Sequence, residues 1–502
     1  MEPTIQPAEN WNSGAIMQIP IAILLILGVI AGILVLPFQG IIVALLTVVT
    51  VLILLILLQR GLRYARRGEW QRIVAELVTP GFLWLLFCVG GLINLIDIDV
   101  NGIRAYGPIE DQTILFFSGF VLLGAITYVV SFRFVYRGNS QSTRNPSLRR
   151  VGLLLIVLIL FDWFVRFQLI RDGLYFTWVM SVAFDDSVRG TNFLFHVQRT
   201  IWPIILPLLL YFISKTRNPI KSILVVLLVI QVVLVISAGD RRFVLYTGMV
   251  LVAAYGMIYK LTINLKIVVI TTIGIIFFFA VLSPLTQEAR FIMRREGKSL
   301  LEDPSQIPSK FFFEYLPQVA DSELILNPEL SNRQGLIGRI GSYMNYGANI
   351  YQAVLDGKSL LDLAEFKNAI TMVVPRFLYP GKPVQDADYV VQEHFSIGQP
   401  GFDANGTYAA DAFAYFHVAG ILLLFLIAGL GYGFIAHHLG KNYGIVGSLI
   451  LIGLLPIFVP MGDSFSEIFV YIRNVLLFLL LVKLILHFGL ASKQHAHSVI
   501  EK

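Results

Sequence analysis

From residue 17 onward the chain is laid out as long apolar runs, at about 17–37, 41–58, 78–96, 113–132, 151–168, 200–214, 222–238, 243–259, 267–284, 413–436, 445–461 and 472–489. A helix needs about 20 predominantly apolar residues to cross a bilayer, and twelve such runs take up close to half of the 502 residues. Only 14% of the residues are charged, against roughly 25% in an ordinary soluble domain. A soluble chain of this length would need several domains, each with an improbably apolar surface. The expected fold is therefore an all-α polytopic membrane protein with about twelve transmembrane helices. The run at 200–214 contains Pro203 and Pro207, which predict tilt or a kink.

The first eighteen residues contain Glu2 and Glu9 but no Lys or Arg, unlike the basic start of a secretory signal. The run from Ile19 is read as an uncleaved first helix. The single cysteine, Cys88, lies inside an apolar run and excludes both an intrachain disulfide and a cysteine-based metal site.

Lys and Arg in short loops orient a polytopic chain. The loop after the second run holds Arg60, Arg63, Arg66, Arg67 and Arg72, and the loop after the fourth holds Arg133, Arg137, Arg144, Arg149 and Arg150. Lys215, Arg217 and Lys221 follow the sixth run, and Lys260 and Lys266 the eighth. The even-numbered loops thus agree on a cytoplasmic position, with both termini inside. Basic residues placed this way orient a membrane protein rather than grip a duplex, so the net charge of +6 does not imply nucleic-acid binding.

This topology divides the chain into residues 1–285 with nine helices, an extracytoplasmic segment at 286–412, and residues 413–502 with three helices and a cytoplasmic tail. The segment at 286–412 is rich in charge, Pro, Asn and Gly. Apolar residues recur at three- and four-residue spacing over Leu336 to Leu355 and Leu360 to Val374, predicting a small helical lid over the outer face. No internal repeat is visible, and the long segment splits the chain unequally, against a carrier built from two similar halves.

Candidate functional residues fall in this outer half. Asp240, Arg241 and Arg242 lie between the seventh and eighth runs, where arginines oppose the basic-inside bias. Paired guanidiniums suit a diphosphate; alternatively Asp240 neutralises one of them at a helix cap. Arg290, Arg294 and Arg295 follow the ninth run, with Glu288 and Glu296 offering a solvated helix end as the alternative. The turn Val374-Pro375-Arg376-Phe377-Leu378-Tyr379-Pro380-Gly381-Lys382-Pro383 projects Arg376 and Lys382 as an anion clamp or serves as a hinge. Glu393, His394, Asp411 and His417 are acid–base candidates, and Asp162 with Arg166, four apart, reads as a local ion pair. Asp97, Asp99, Asp386 and Asp388 form two Asp-x-Asp triplets of the kind that hold a divalent cation. No His-Glu-x-x-His, nucleotide-binding glycine loop or Gly-x-Ser-x-Gly element is present.

The turn SAGDRRFVL at Ser237 to Leu245, the stretch VPRFLYPGKP at Val374 to Pro383, and the small-residue stretch GTYAADAFAYFHVAGILLLF at Gly406 to Phe425 occur in that order. Together they resemble the Wzy-type polymerases of O-antigen and other oligosaccharide repeat units, over about residues 200–440. The resemblance implies a metal-independent C-type glycosyltransferase fold in the bacterial inner membrane, without a cofactor. It implies transfer of a growing glycan from undecaprenyl diphosphate to a hydroxyl of an incoming lipid-linked unit, with lipid diphosphate as leaving group. The catalytic role then falls to Arg241, Arg242, Arg290 and Asp240. Substrate binding falls to Arg294, Arg295, Arg376, Lys382, His394 and His417. The partners implied are the undecaprenyl-diphosphate-linked oligosaccharide, membrane lipid and a chain-length regulator. Related ligases carry a histidine before the re-entrant helix, and residues 406–408 contain none, which favours polymerase over ligase. Two rivals stand beside this reading: a metal-dependent C-type enzyme using a lipid-phosphate sugar at Asp97 or Asp99, and a lipid-oligosaccharide flippase or other carrier.

Overall fold

The computed structural model describes residues 40–65, 67, 69–95, 109–136, 146–171, 192–237, 241–260, 307–310, 313–314, 317, 336–371, 373–374, 378–379, 381, 387–397, 406–458 and 465–500. In chain order the helices are α1 (Gly40–Ala65), α2 (Ile73–Leu95), α3 (Asp111–Val135), α4 (Leu148–Arg171), α5 (Asn192–Lys215), α6 (Ile220–Ser237), α7 (Arg241–Ile258), α8 (Leu336–Leu355), α9 (Leu363–Thr371), α10 (Ala387–Phe395), α11 (Tyr408–Gly453) and α12 (Phe465–Ile500). Among the described residues there is no strand. Six helices, α1, α2, α3, α5, α11 and α12, are long and apolar enough to cross a membrane, while the apolar parts of α6 and α7 are shorter. The runs expected at 17–37 and 267–284 lie outside the described residues.

The physical sign of a lipid environment is an inverted helix surface. On α3, Leu123, Ile126, Val130 and Phe134 recur at helical spacing and are 50–71% exposed, while Phe117, Val121, Tyr128 and Phe132 on the other face are fully buried. On α6, Ile223, Val226, Val229 and Val233 are likewise turned outward. Such continuous apolar faces would be costly in water and are at home in hydrocarbon. The protein is a helical membrane protein.

Helices approach closely where side chains are small. Gly124 of α3 lies against Ile421 and Phe425 of α11, Gly429 against Ser131 and the Tyr128 carbonyl, and Gly433 against the Phe132 carbonyl at 2.9 Å from where a Cβ would sit. These contacts set α3 and α11 side by side, running in the same direction. The helix expected at 336–355 is α8, and it packs into this assembly: Gly347 abuts the Phe117 ring, Gly90 of α2 abuts the Ile340 carbonyl, and Thr113 donates to Gln352 at 2.6 Å.

The two runs expected at 413–436 and 445–461 belong to α11, which is interrupted at Phe416 and His417 and again at Gly444. Residues eight apart in an unbroken helix are about 12 Å apart along the axis. Here Gly420 touches the Ala412 carbonyl, and Gly447 touches that of Leu439. The Tyr432 hydroxyl donates to the Leu451 carbonyl at 3.1 Å, across nineteen residues. The chain therefore doubles back twice with almost no linker, giving three segments at 408–415, 418–443 and 445–453. Gly444 takes φ 54° at no steric cost, but His417, at φ 56° and ψ −150°, occupies a region nearly confined to glycine.

Candidate functional site

The first of the three α11 segments is a buried half-helix. Thr407 caps it, accepting a hydrogen bond from the Ala410 amide at 3.2 Å, as a threonine at this position should. Thr407 and Asp411 are fully buried. The half-helix ends against α9 and the residues just before it, with the Leu361 amide bonded to the Ala414 carbonyl at 3.0 Å and the Phe366 ring edge-on to Phe416. Its first residue, Tyr408, lines the same cavity as Tyr471 of α12.

At that point the starts of α5 and α12 supply charge. Arg199 of α5 donates to the Tyr471 hydroxyl at 3.3 Å and lies 3.9 Å from the Glu467 carboxylate. Two residues past Tyr471, Arg473 reaches across to the Val373 carbonyl at 2.6 Å and also donates to the Asn474 side chain. Asn474, beside Arg473, is buried, as are Gln198 and Thr200, which flank Arg199 in the chain. Polar side chains in an apolar bundle are expensive unless paired or turned to a cavity, and they mark function.

His417 sits at the first break in α11, half-buried between the rings of Phe413 (4.6 Å), Tyr351 (6.2 Å) and Phe120 (6.4 Å). It thus joins the half-helix, α8 and α3. His394 is held differently: its ring nitrogen meets the Ser359 carbonyl at 2.8 Å, and Lys358 donates to its backbone carbonyl at 3.0 Å. Of the two histidines, His417 lies on the half-helix junction, whereas His394 fastens α10 to the turn before α9.

Arg241 and Arg242 form the first turn of α7. That helix packs on α5, the helix that carries Arg199. Asp240, Arg290, Arg294, Arg295, Arg376 and Lys382 lie outside the described residues, as do Asp97, Asp99 and Asp386. Among the described residues no three His, Cys, Asp or Glu side chains are grouped to hold a metal ion.

Sequence reasoning missed Arg199, Glu467, Tyr471 and Arg473. Arg199 stands immediately before the run at 200–214 and Arg473 just inside that at 472–489, so both were absorbed into helix ends. Ionisable residues beside or within apolar runs were the available signal. Glu76 was missed as well. It is buried on α2, accepts from Tyr64 Oη of α1 at 2.7 Å and from Arg133 Nε of α3 at 2.9 Å, and locks three helices at one end. The Asp162–Arg166 pair is present at 2.8 Å, fully buried, with Gln231 of α6 placed to donate to Asp162 at 3.2 Å.

No protein-family model, curated protein or solved structure matches the chain, leaving its residues and their geometry to carry the functional reading.

Proposed function

We propose that the protein polymerises undecaprenyl-diphosphate-linked oligosaccharide repeat units on the outer face of the bacterial inner membrane. In this reading a sugar hydroxyl of the incoming unit bonds to the anomeric carbon of the growing glycan. The bond from that carbon to the lipid diphosphate breaks, the diphosphate leaves, and the hydroxyl proton passes to the departing diphosphate or to water. Preorganised cations in a partly dry site lower the cost of the developing charge. The observation that carries the proposal is arginines on two helices that pack together: Arg241 and Arg242 open α7, and Arg199 lies in α5, against which α7 packs.

A lipid-oligosaccharide carrier is the second reading. The specific observation in its favour is charge within helices, namely Asp162 with Arg166 and Glu467 near Arg199.

The test is polymer formation from a purified lipid-diphosphate oligosaccharide, with and without EDTA, by the wild type and Arg241→Ala. Polymer that survives EDTA and is lost in the variant supports the polymerase. Loss with EDTA sends the chemistry to Asp97, Asp99 or Asp386. Absence of polymer, with lipid substrate bound by the wild type, promotes the carrier.

A further inference from the structure

The cavity that begins at Tyr408 and Tyr471 continues as an apolar groove of about 300 Å³ between the 418–443 segment of α11 and α12. Ile427, Ala428 and Phe434 line one wall, and Ile472, Val475 and Leu476 the other. Ile427, Phe434 and Leu476 are each more than 60% exposed, so the groove opens sideways toward lipid.

One end of this groove is cationic. His437, His438 and Lys441 follow Phe434 on α11, and Lys483 follows Leu476 on α12. His437, Lys441 and Lys483 all lie within electrostatic range of His438. Residue numbers increase toward these cations on both helices, so the two walls run in parallel to one charged end. The His438 ring stacks on Phe434 at 6.3 Å and is met by Asn442 at 3.1 Å. Lys441, His438 and Lys483 are exposed, and among the described residues none of the four groups takes part in an ion pair.

The groove's length fits one acyl chain. From Leu424 to Ile435 the α11 wall rises about 16 Å, close to one leaflet of a hydrocarbon core that is ~30 Å thick. A lipid with no net charge would leave Lys441 and Lys483 uncompensated. A lipid phosphate would complete them, as basic pockets between helices do.

We propose that this groove binds one anionic phospholipid, with its phosphate against Lys441, Lys483 and the histidine pair and one acyl chain along Phe434, Ile472 and Leu476. By the basic-loop topology the charged end is cytoplasmic, and the lipid belongs to the inner leaflet. The phosphate end of the site lies at the opposite end of the groove from Tyr471 and Arg199, and the proposal does not depend on the polymerase reading.

The test uses the full-length protein purified in detergent, supplied with phosphatidylglycerol or phosphatidylcholine and read by native mass spectrometry and thermal unfolding. The wild type is expected to retain one phosphatidylglycerol and to gain Tm from it but not from phosphatidylcholine. Lys441→Gln with Lys483→Gln should bind roughly 30-fold more weakly, with an unchanged Tm in lipid-free detergent. Ala428→Phe fills the groove and should abolish retention with the cations intact. Equal retention of both lipids, capture of an isoprenoid lipid instead, or full retention by both variants overturns the proposal.

Discussion

Gly420 rests directly on the carbonyl oxygen of Ala412, eight residues earlier in the same chain. That contact exists only because the chain reverses at Phe416 and His417, and it leaves no room for a Cβ. Gly447 repeats the relationship with Leu439 at the second break. In both cases the obstructing atom is backbone, which cannot rotate aside.

Gly420→Ala and Gly447→Ala should each destabilise the protein by about 3 kcal/mol or more, at the upper end of overpacking costs. Gly431, in the same helix with nothing within 4 Å of its Cβ position, supplies the control. Gly431→Ala should be neutral or stabilising by up to about 1 kcal/mol. Thermal unfolding in detergent separates them, and equal Tm values for Gly420→Ala and Gly431→Ala would refute the close reversal.

His417 combines an unfavourable backbone with favourable ring contacts, and two substitutions take these apart. His417→Ala keeps the positive φ and loses the rings of Phe413, Tyr351 and Phe120. His417→Gly relieves a backbone cost of about 1–3 kcal/mol. The glycine variant should therefore have the higher Tm of the two. If it unfolds earlier than the alanine variant, the backbone at 417 is not strained.

Glu76 links α1, α2 and α3 through Tyr64 and Arg133. Removing one member of a buried pair leaves the other charge unpaired and costs about 3–5 kcal/mol. The cost here should fall at the low end, because the Arg133 side chain is 41% exposed and can reach water. Glu76→Ala should thus lose about 3 kcal/mol, and adding Arg133→Ala should cost little more. A double-mutant cycle in chemical unfolding measures the coupling. Additive losses would show that the two side chains do not act together.

Arg199 and Arg473 are expected to serve the anionic substrate. Arg199→Lys keeps the charge but loses the planar fork that grips two phosphate oxygens. Polymer formation should fall roughly 100-fold in Arg199→Lys and in Arg473→Lys, with Tm within a few degrees of wild type. Activity that follows Tm across both variants would assign them a purely structural role.

The membrane-crossing elements were the most legible part of the sequence, because length and apolarity alone announce them. The run at 113–132 became α3 at Asp111–Val135, extended at each end by polar residues that can face the interface. The Asp162–Arg166 pair followed from four-residue spacing. The half-helix at 408–415 was hidden inside a longer apolar stretch. Its break falls on a histidine at φ 56° and ψ −150°, a region that local preference leaves almost wholly to glycine, so tertiary packing decides it. Arg199 meets Tyr471 across 272 positions of chain, with Glu467 close by, and no local pattern could pair them.

The half-helix also bears on how the protein is made. Eight residues are too few to be recognised and released into lipid as a spanning segment, which takes about 20. The stretch from Tyr408 to Tyr415 must take its place only after α3, α8 and the following 418–443 segment have come together to receive it. Biogenesis would then end where the candidate site begins. A chain stalled before that last insertion would already be threaded through the membrane, with every long helix in place, and still be inert.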